Sequence, residues 1–221
     1  MPAVPKQRSL RTDERTRGEP SKSARTRERI LDAAAKVLNR NGYAGTRLSD
    51  IAALAQVQAP ALYYYFTSRE ELIEEVVMLG MARAQAHVSE TVATLPEDAT
   101  GLDRICAAVG AHLEVVLRVS DYASAAIRNG PQLPADMRER QLVGQRAYGD
   151  VWRKLIDEAR AAGEIHPDLD PRAARMLIIG GLNWATEWWN PNRGSLRTVI
   201  TTAQLLTRQG LAAPRSDPSR A

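Results

Sequence analysis

Residues 46–72, TRLSDIAALAQVQAPALYYYFTSREEL, hold the side chains best suited to recognition chemistry. Tyr63, Tyr64, Tyr65 and Phe66 form an unbroken aromatic run. A unit of this size cannot bury four such rings, so some of them must face outward. Outward tyrosines beside Arg47 and Arg69 make a surface suited to a polyanion. A short helix, a tight turn and a second, aromatic helix are the parts of a helix-turn-helix that enters a DNA groove.

The elements that must position these residues are legible in the flanking sequence. A first helix is expected from about Ala24 to Asn39, with Ile30, Ala33, Ala34, Val37 and Leu38 on one face. Asn41-Gly42 stops it, because Gly42 can take a left-handed cap. Thr46 is the expected N-cap of the second helix, which buries Leu48, Ile51, Ala52 and Ala55. Gln56-Val57 makes the turn. Pro60 fits only a first helical turn, so the third helix begins near Gln58 or Ala59. Leu62 and Phe66 point inward from it. Ser68 and Glu71 form a capping box that opens a long fourth helix, with Leu72, Val76 and Leu79 on its buried side.

The remaining chain also reads as helical. Leu95-Pro96-Glu97-Asp98 is a break. Leu102, Ile105, Cys106, Val109, Leu113, Val116 and Leu117 line one long helix, and Asn129-Gly130-Pro131 is a strong stop. A further helix spans roughly 134–162 and ends at Gly163. Asp170-Pro171 opens the next, which runs to Trp189. Ser195 caps the last, and Gly210 closes it. No segment carries the two-residue period of a strand. The fold class expected is all-α with about nine helices: an N-terminal three-helix helix-turn-helix domain, then a larger helical domain. The boundaries are a disordered basic arm at 1–23, the DNA-binding unit at 24–84, the helical domain at 85–210 and a disordered tail at 211–221.

Composition bounds the function classes. The 221 residues carry a net charge of +4. Residues 1–29 hold nine Lys/Arg against four Asp/Glu, which leaves the rest slightly acidic. That basic excess lies next to the helix-turn-helix, where it is either a solvated tail or an arm that orders on phosphates. No apolar run reaches the length of a membrane span, and no apolar stretch follows the N-terminal basic residues as a secretory signal requires. The single cysteine excludes an internal disulfide and a multi-thiolate site. His87, His112 and His166 have no metal-ligand spacing, so neither metal nor other cofactor is expected. An enzyme would need a nucleophile with its base, a metal cluster or a phosphate loop, and the sequence offers none. A cytoplasmic location is the expectation.

With these elements in place, the chain resembles the TetR (tetracycline-repressor-like) family of transcriptional regulators. ERILDAAAKVLNRNGYAGT is similar to the family's first helix and its Gly-aromatic exit. LSDIAALAQV is similar to the second helix, and ALYYYFTSREEL to the recognition helix and the start of helix four. The likeness is strongest over residues 24–84. GEIHPDLDP at 163–171 and the Trp-rich helix after it look like the second halves of many members. Gln56 stands where the family usually has Gly, and Gln58 where it usually has Ser or Thr. The resemblance implies a homodimer on a double-stranded, inverted-repeat operator. It also implies a helical domain that binds a small effector, whose binding respaces the two reading heads. The resulting expectation is a repressor released by its effector. The alternative is an architectural or activator DNA-binding protein with no small-molecule effector.

The resemblance places Thr46, Arg47, Ser49, Gln58, Ala59, Ala61, Tyr63, Tyr64, Tyr65 and Arg69 at positions that touch DNA. Arg47, Arg69 and the hydroxyls of Thr46, Ser49 and Tyr65 suit phosphates, which fix register. Gln58 suits adenine N6 and N7, and Ala59 or Ala61 a thymine methyl. The plainer alternative makes Tyr64 or Tyr65 a partly buried packing residue. Trp184, Trp188, His112, Cys106 and Arg128 are the candidate effector-binding residues. For the tryptophans the alternatives are a pocket wall, a dimer seam or plain core. For His112 and Cys106 they are packing or a redox or metal role. Gly180-Gly181 in mid-helix points to close helix approach, at a dimer interface or beside a ligand. The apolar composition favours a hydrophobic or amphipathic effector, such as a drug, an aromatic molecule or an acyl thioester. The Trp-Trp-x-Pro-x-x-Gly segment at 188–194 resembles regulators of lipid or acyl-CoA catabolism.

Overall fold

The computed structural model describes residues 21–214. Nine α-helices follow one another within them: α1 Lys22–Gly45, α2 Leu48–Ala55, α3 Ala59–Tyr65, α4 Arg69–Ala93, α5 Gly101–Glu114, α6 Asp121–Asn129, α7 Ala135–Ala161, α8 Pro171–Trp188 and α9 Leu196–Leu211. A π-helical turn, Val115–Val119, links α5 to α6, and a 3-10 turn, Gly130–Gln132, links α6 to α7. The only β pairing among the described residues is one antiparallel bridge between Ile165 and Ala212. The expected basic arm falls outside the described residues as far as Pro20, and the tail does so from Arg215.

Local chemistry explains most boundaries and corrects several expected ones. Ser21 starts α1 two residues earlier than its apolar face suggests, by accepting from the Ala24 N–H at 3.1 Å. Gly42 does take a positive φ, +69°, and kinks the end of that helix. Thr46 does not cap α2. Its side chain is buried, and its hydroxyl donates to the Gly42 carbonyl at 2.7 Å. It satisfies a carbonyl left over at the end of α1, while Arg47 takes the N-cap position of α2 without a side-chain cap bond.

Half of the capping box at α4 forms as expected: Ser68 Oγ accepts from the Glu71 N–H at 3.0 Å. The Glu71 carboxylate reaches one residue further back, accepting from the Thr67 N–H at 2.6 Å and its hydroxyl at 2.5 Å. The single long helix expected over 102–117 is instead divided. Its last turn opens into the π-helical segment, and Ser120 caps α6 by accepting from Ala123. The end of α9 is also later than Gly210, at Leu211, which is buried.

Two main cores result. The first joins α1–α4 around Ile30, Leu38, Ile51, Leu62, Phe66, Leu72 and Val76. It is completed by Tyr122, Ala125 and Ala126 of α6, by Leu133 after the 3-10 turn and by Met137 of α7. The helix-turn-helix is therefore sealed by helices from beyond residue 84. Gly80 allows this closeness: a Cβ there would stand 2.2 Å from the Tyr122 carbonyl oxygen. The second core packs α5 and α7 around Ile105, Val109, Leu113, Trp152 and Ile156. To that core α8 gives Leu182 and Ala185, and α9 gives Leu211.

Candidate nucleic-acid interface and ligand cavity

The turn between α2 and α3 sets the geometry of the interface. Gln56 adopts φ +55° and ψ +46°, the left-handed region that glycine would enter at lower cost. Its N–H still bonds to the carbonyls of Ala52 and Ala53. Gln58 is the N-cap of α3, with Pro60 in the first turn. Leu62 and Phe66 are buried beneath α3, so the opposite side of that short helix is left in solvent.

On that side stand Gln58, Ala59, Tyr63 and Tyr64, with Tyr63 61% and Tyr64 81% exposed. Ala61 is half-buried. Tyr65 is the packing residue among the three tyrosines: it is half-buried against the first core, and its ring meets Tyr64 edge-on at 5.0 Å. Arg47 and Ser49 are exposed at the start of α2. Thr46 is buried, with its hydroxyl turned inward.

Arg69 finds its partners inside the chain. Its Nε donates to the Thr46 carbonyl at 2.7 Å, and one terminal nitrogen donates to the Tyr43 carbonyl. The other pairs with Glu70 at 2.9 Å, and the guanidinium lies 4.5 Å over the Tyr43 ring. This clamp ties the start of α4 to the loop that carries Thr46 and Arg47. A second tie, Arg27 to Glu75 through bonds of 2.6 and 2.5 Å, holds α1 to α4.

These features coincide with two sequence families. A model described as "Bacterial regulatory proteins, tetR family" matches residues 30–76, and one described as "Tetracyclin repressor-like, C-terminal domain" matches residues 98–203. The chain belongs to the TetR family of transcriptional regulators. A repressor from Mycolicibacterium smegmatis, KstR2, is 27% identical over 177 residues, covering 78% of this chain and 83% of the relative. Among solved structures, AibR in complex with isovaleryl coenzyme A and operator DNA shares the fold at a TM-score of 0.74 and 22% identity. It is matched over 83% of this chain and 98% of its own. FadR from Bacillus subtilis, in complex with stearoyl-CoA, gives a TM-score of 0.70 at 23% identity, with 83% and 98% covered.

A cavity of about 660 Å³ lies between α4, α6, α7 and α8 of this family member. Its apolar walls include Met81, Ala84, Ile127 and Ile179. Of the five residues singled out in the sequence for the effector, His112 lines it. Trp184 and Trp188 do not, being 65% and 55% exposed on the outer side of α8. Cys106 packs against α9, where its thiol donates to the Gln204 carbonyl at 3.6 Å. Arg128 sits in a smaller crevice and pairs with Glu187 at 3.1 Å. Of the alternatives open for the tryptophans, a wall of this cavity is not formed, because α8 turns its Arg175–Ile179–Asn183 stripe inward.

Groups outside the sequence candidates surround His112. Its Nδ1 is 2.7 Å from the Tyr148 hydroxyl and its Nε2 is 3.1 Å from Asn183 Oδ1. Trp152, fully buried, meets both the imidazole and the Tyr148 ring edge-on. Burial pushes the His112 imidazole down to about 4, so the ring is neutral at ordinary pH. A neutral ring has one donor and one acceptor. Since Asn183 Oδ1 can only accept, Nε2 carries the proton and the Tyr148 hydroxyl donates to Nδ1. A polar residue inside an otherwise apolar helical stripe was the available signal for His112 in α5; for Asn183 it was a place one turn after Ile179 in α8.

Proposed function

We propose that this regulator is a dimeric repressor that binds an inverted-repeat operator and leaves it when an amphipathic effector, of the acyl-thioester class, enters the α4–α8 cavity. One observation carries the reading: α4 and α6 wall the cavity and also close the core beneath α1–α3. A ligand that moves either helix therefore works against the seating of the DNA-reading unit. Acyl thioesters are favoured by the apolar walls together with Arg138, Arg146, Arg153 and Arg175 around them. The complexes of AibR and FadR with acyl-CoA molecules support the same class.

On DNA, Gln58, Ala59, Ala61, Tyr63 and Tyr64 enter the major groove, while Arg47, Ser49 and Tyr65 meet phosphates. Thr46 and Arg69 act through the loop they hold rather than through free donors. The dimer forms through α8 and α9, whose outward apolar side chains and Gly180-Gly181 stripe have no cover in one chain. This dimer spaces two α3 helices for successive major grooves.

The test is operator binding by fluorescence anisotropy across a series of acyl-CoA molecules. An effector should weaken operator affinity about 5- to 150-fold, the usual span of allosteric coupling. Operator DNA must weaken effector binding by the same factor. An acyl-CoA that saturates the protein and leaves operator affinity unchanged would exclude release by that class. A footprint without two-fold symmetry would exclude the dimeric operator complex.

A further inference from the structure

We infer that the cavity selects a chain molecule whose buried part carries an oxygen function, a hydroxyl, oxo or amide group, over a plain hydrocarbon chain of the same length. This rests on the effector cavity proposed above and names the chemistry that it reads.

The inference comes from polar atoms of the cavity-lining residues that the fold leaves without partners. Gln141 is only 3% exposed, yet its Oε1 accepts no hydrogen bond. Arg175 donates from Nη1 to the Gly149 carbonyl at 3.1 Å, but its Nε–H is buried and unpaired. Asn183 uses Oδ1 for His112, and no acceptor within the described residues takes its amide hydrogens. All three residues line the same cavity, Gln141 from α7 and the other two from α8.

Asn183 is also held in place. The Tyr148–His112–Asn183 chain fixes which way the carboxamide points, because the neutral imidazole has its one proton committed to Oδ1. The amide NH₂ is thereby left as a donor with a set direction. Arg175 and Asn183 are eight residues apart on one helix, so about 12 Å of cavity wall separates them. Ile179 lies between them. A saturated chain filling this space would strand the Asn183 amide donor, beside a Gln141 Oε1 and an Arg175 Nε–H that already lack partners. A ligand oxygen placed against Asn183 would satisfy the donor that is best positioned. Sites built to hydrogen-bond a ligand group discriminate strongly against the analogue that lacks it, since their own buried groups are then unpaired.

The experiment compares dissociation constants by calorimetry for octanoyl-CoA and for octanoyl-CoA analogues bearing a hydroxyl or oxo group at successive carbons. Free octanoate and its hydroxylated counterparts form a second arm. Wild-type protein should bind at least one oxygenated thioester ten or more times tighter than the plain one. Asn183→Leu, close in shape to Asn, removes the donor together with the Oδ1 that accepts from His112, and should bring that ratio close to one by removing the advantage of the oxygenated ligand. Its operator affinity and helical circular dichroism serve as folding controls, since loss of the His112 acceptor lowers the melting temperature by itself. If plain and oxygenated thioesters bind alike, or if Asn183→Leu weakens both alike, the inference is wrong while the thioester class stands. Should only the free acids bind, and show the oxygen preference, the thioester class falls and the inference stands. If no ligand in either arm binds, both fall.

Discussion

Helices α1 and α8 are both amphipathic, yet the tertiary structure treats them in opposite ways. The apolar face of α1 is fully covered: seven of its residues, from Ile30 to Leu38, are buried by α2, α4 and α6. Helix α8 buries only Leu182 and Ala185, and leaves Met176, Leu177, Trp184 and Trp188 in solvent. On α9, Leu205 and Leu206 are exposed as well. Scattered exposed apolar residues are ordinary, but these lie on the two helices that the proposed dimer would cover. The contrast separates a unit that one chain completes from a face that one chain leaves open.

The sharpest way to break this contrast is a charge on each side of it. Leu177→Glu should shift the protein to monomer in light-scattering measurements and lower operator affinity by roughly two orders of magnitude, since a half-operator complex loses the linked second site. The melting temperature of the monomer should change little. Leu62→Ala should do the reverse, costing about 2–5 kcal/mol of stability by leaving a void in the first core. Equal behaviour of the two variants in both assays would erase the distinction.

A second measurement probes the interior that joins the two regions. His112 is held neutral at about 4 against an ordinary 6.5. The unfolded chain binds the extra proton first as pH falls, so this residue's contribution is present above 6.5 and is lost between 6.5 and 4. The loss should approach about 3 kcal/mol at the acid end. His112→Gln should remove most of that pH dependence from urea melts, while the wild-type slope persists in Tyr63→Phe.

Smaller effects distinguish reading from holding at the interface. Gln58→Ala should relax preference at one base pair per half-site by about 1–3 kcal/mol. Arg47→Ala should weaken all sequences alike and reduce the salt slope by about 1 per subunit. Arg69→Ala should instead lower stability by about 1–3 kcal/mol, because it strips donors from the Thr46 and Tyr43 carbonyls. An unchanged melting temperature with a reduced salt slope would return Arg69 to the phosphates. The smallest effect is at the turn. Gln56→Gly should stabilise by about 0.5–1 kcal/mol, since the positive φ costs glutamine more than glycine.

By itself the sequence determined the helical order, the helix-turn-helix and its exposed tyrosines, because caps, prolines and apolar periodicity are local signals. Pro60 placed the start of α3, Asp170 and Ser195 capped α8 and α9, and Leu62 and Phe66 set the buried side of α3. It also supplied the family, through a contiguous string of residues. What it left open depended on partners far along the chain. Arg69 reads as a surface cation until the carbonyls of Tyr43 and Thr46 are brought beneath it. Thr46 reads as an N-cap until the end of α1 claims its hydroxyl. Trp184 and Trp188 look like a pocket wall, but only the rotation of α8 decides that Asn183 faces inward and the tryptophans outward. The Tyr148–His112–Asn183 chain joins residues of three helices, α5, α7 and α8, so no local pattern announces it. Local hydrogen-bonding and steric preferences are written residue by residue, whereas the pairing of distant polar groups is settled when helices pack and burial forces each donor to find an acceptor.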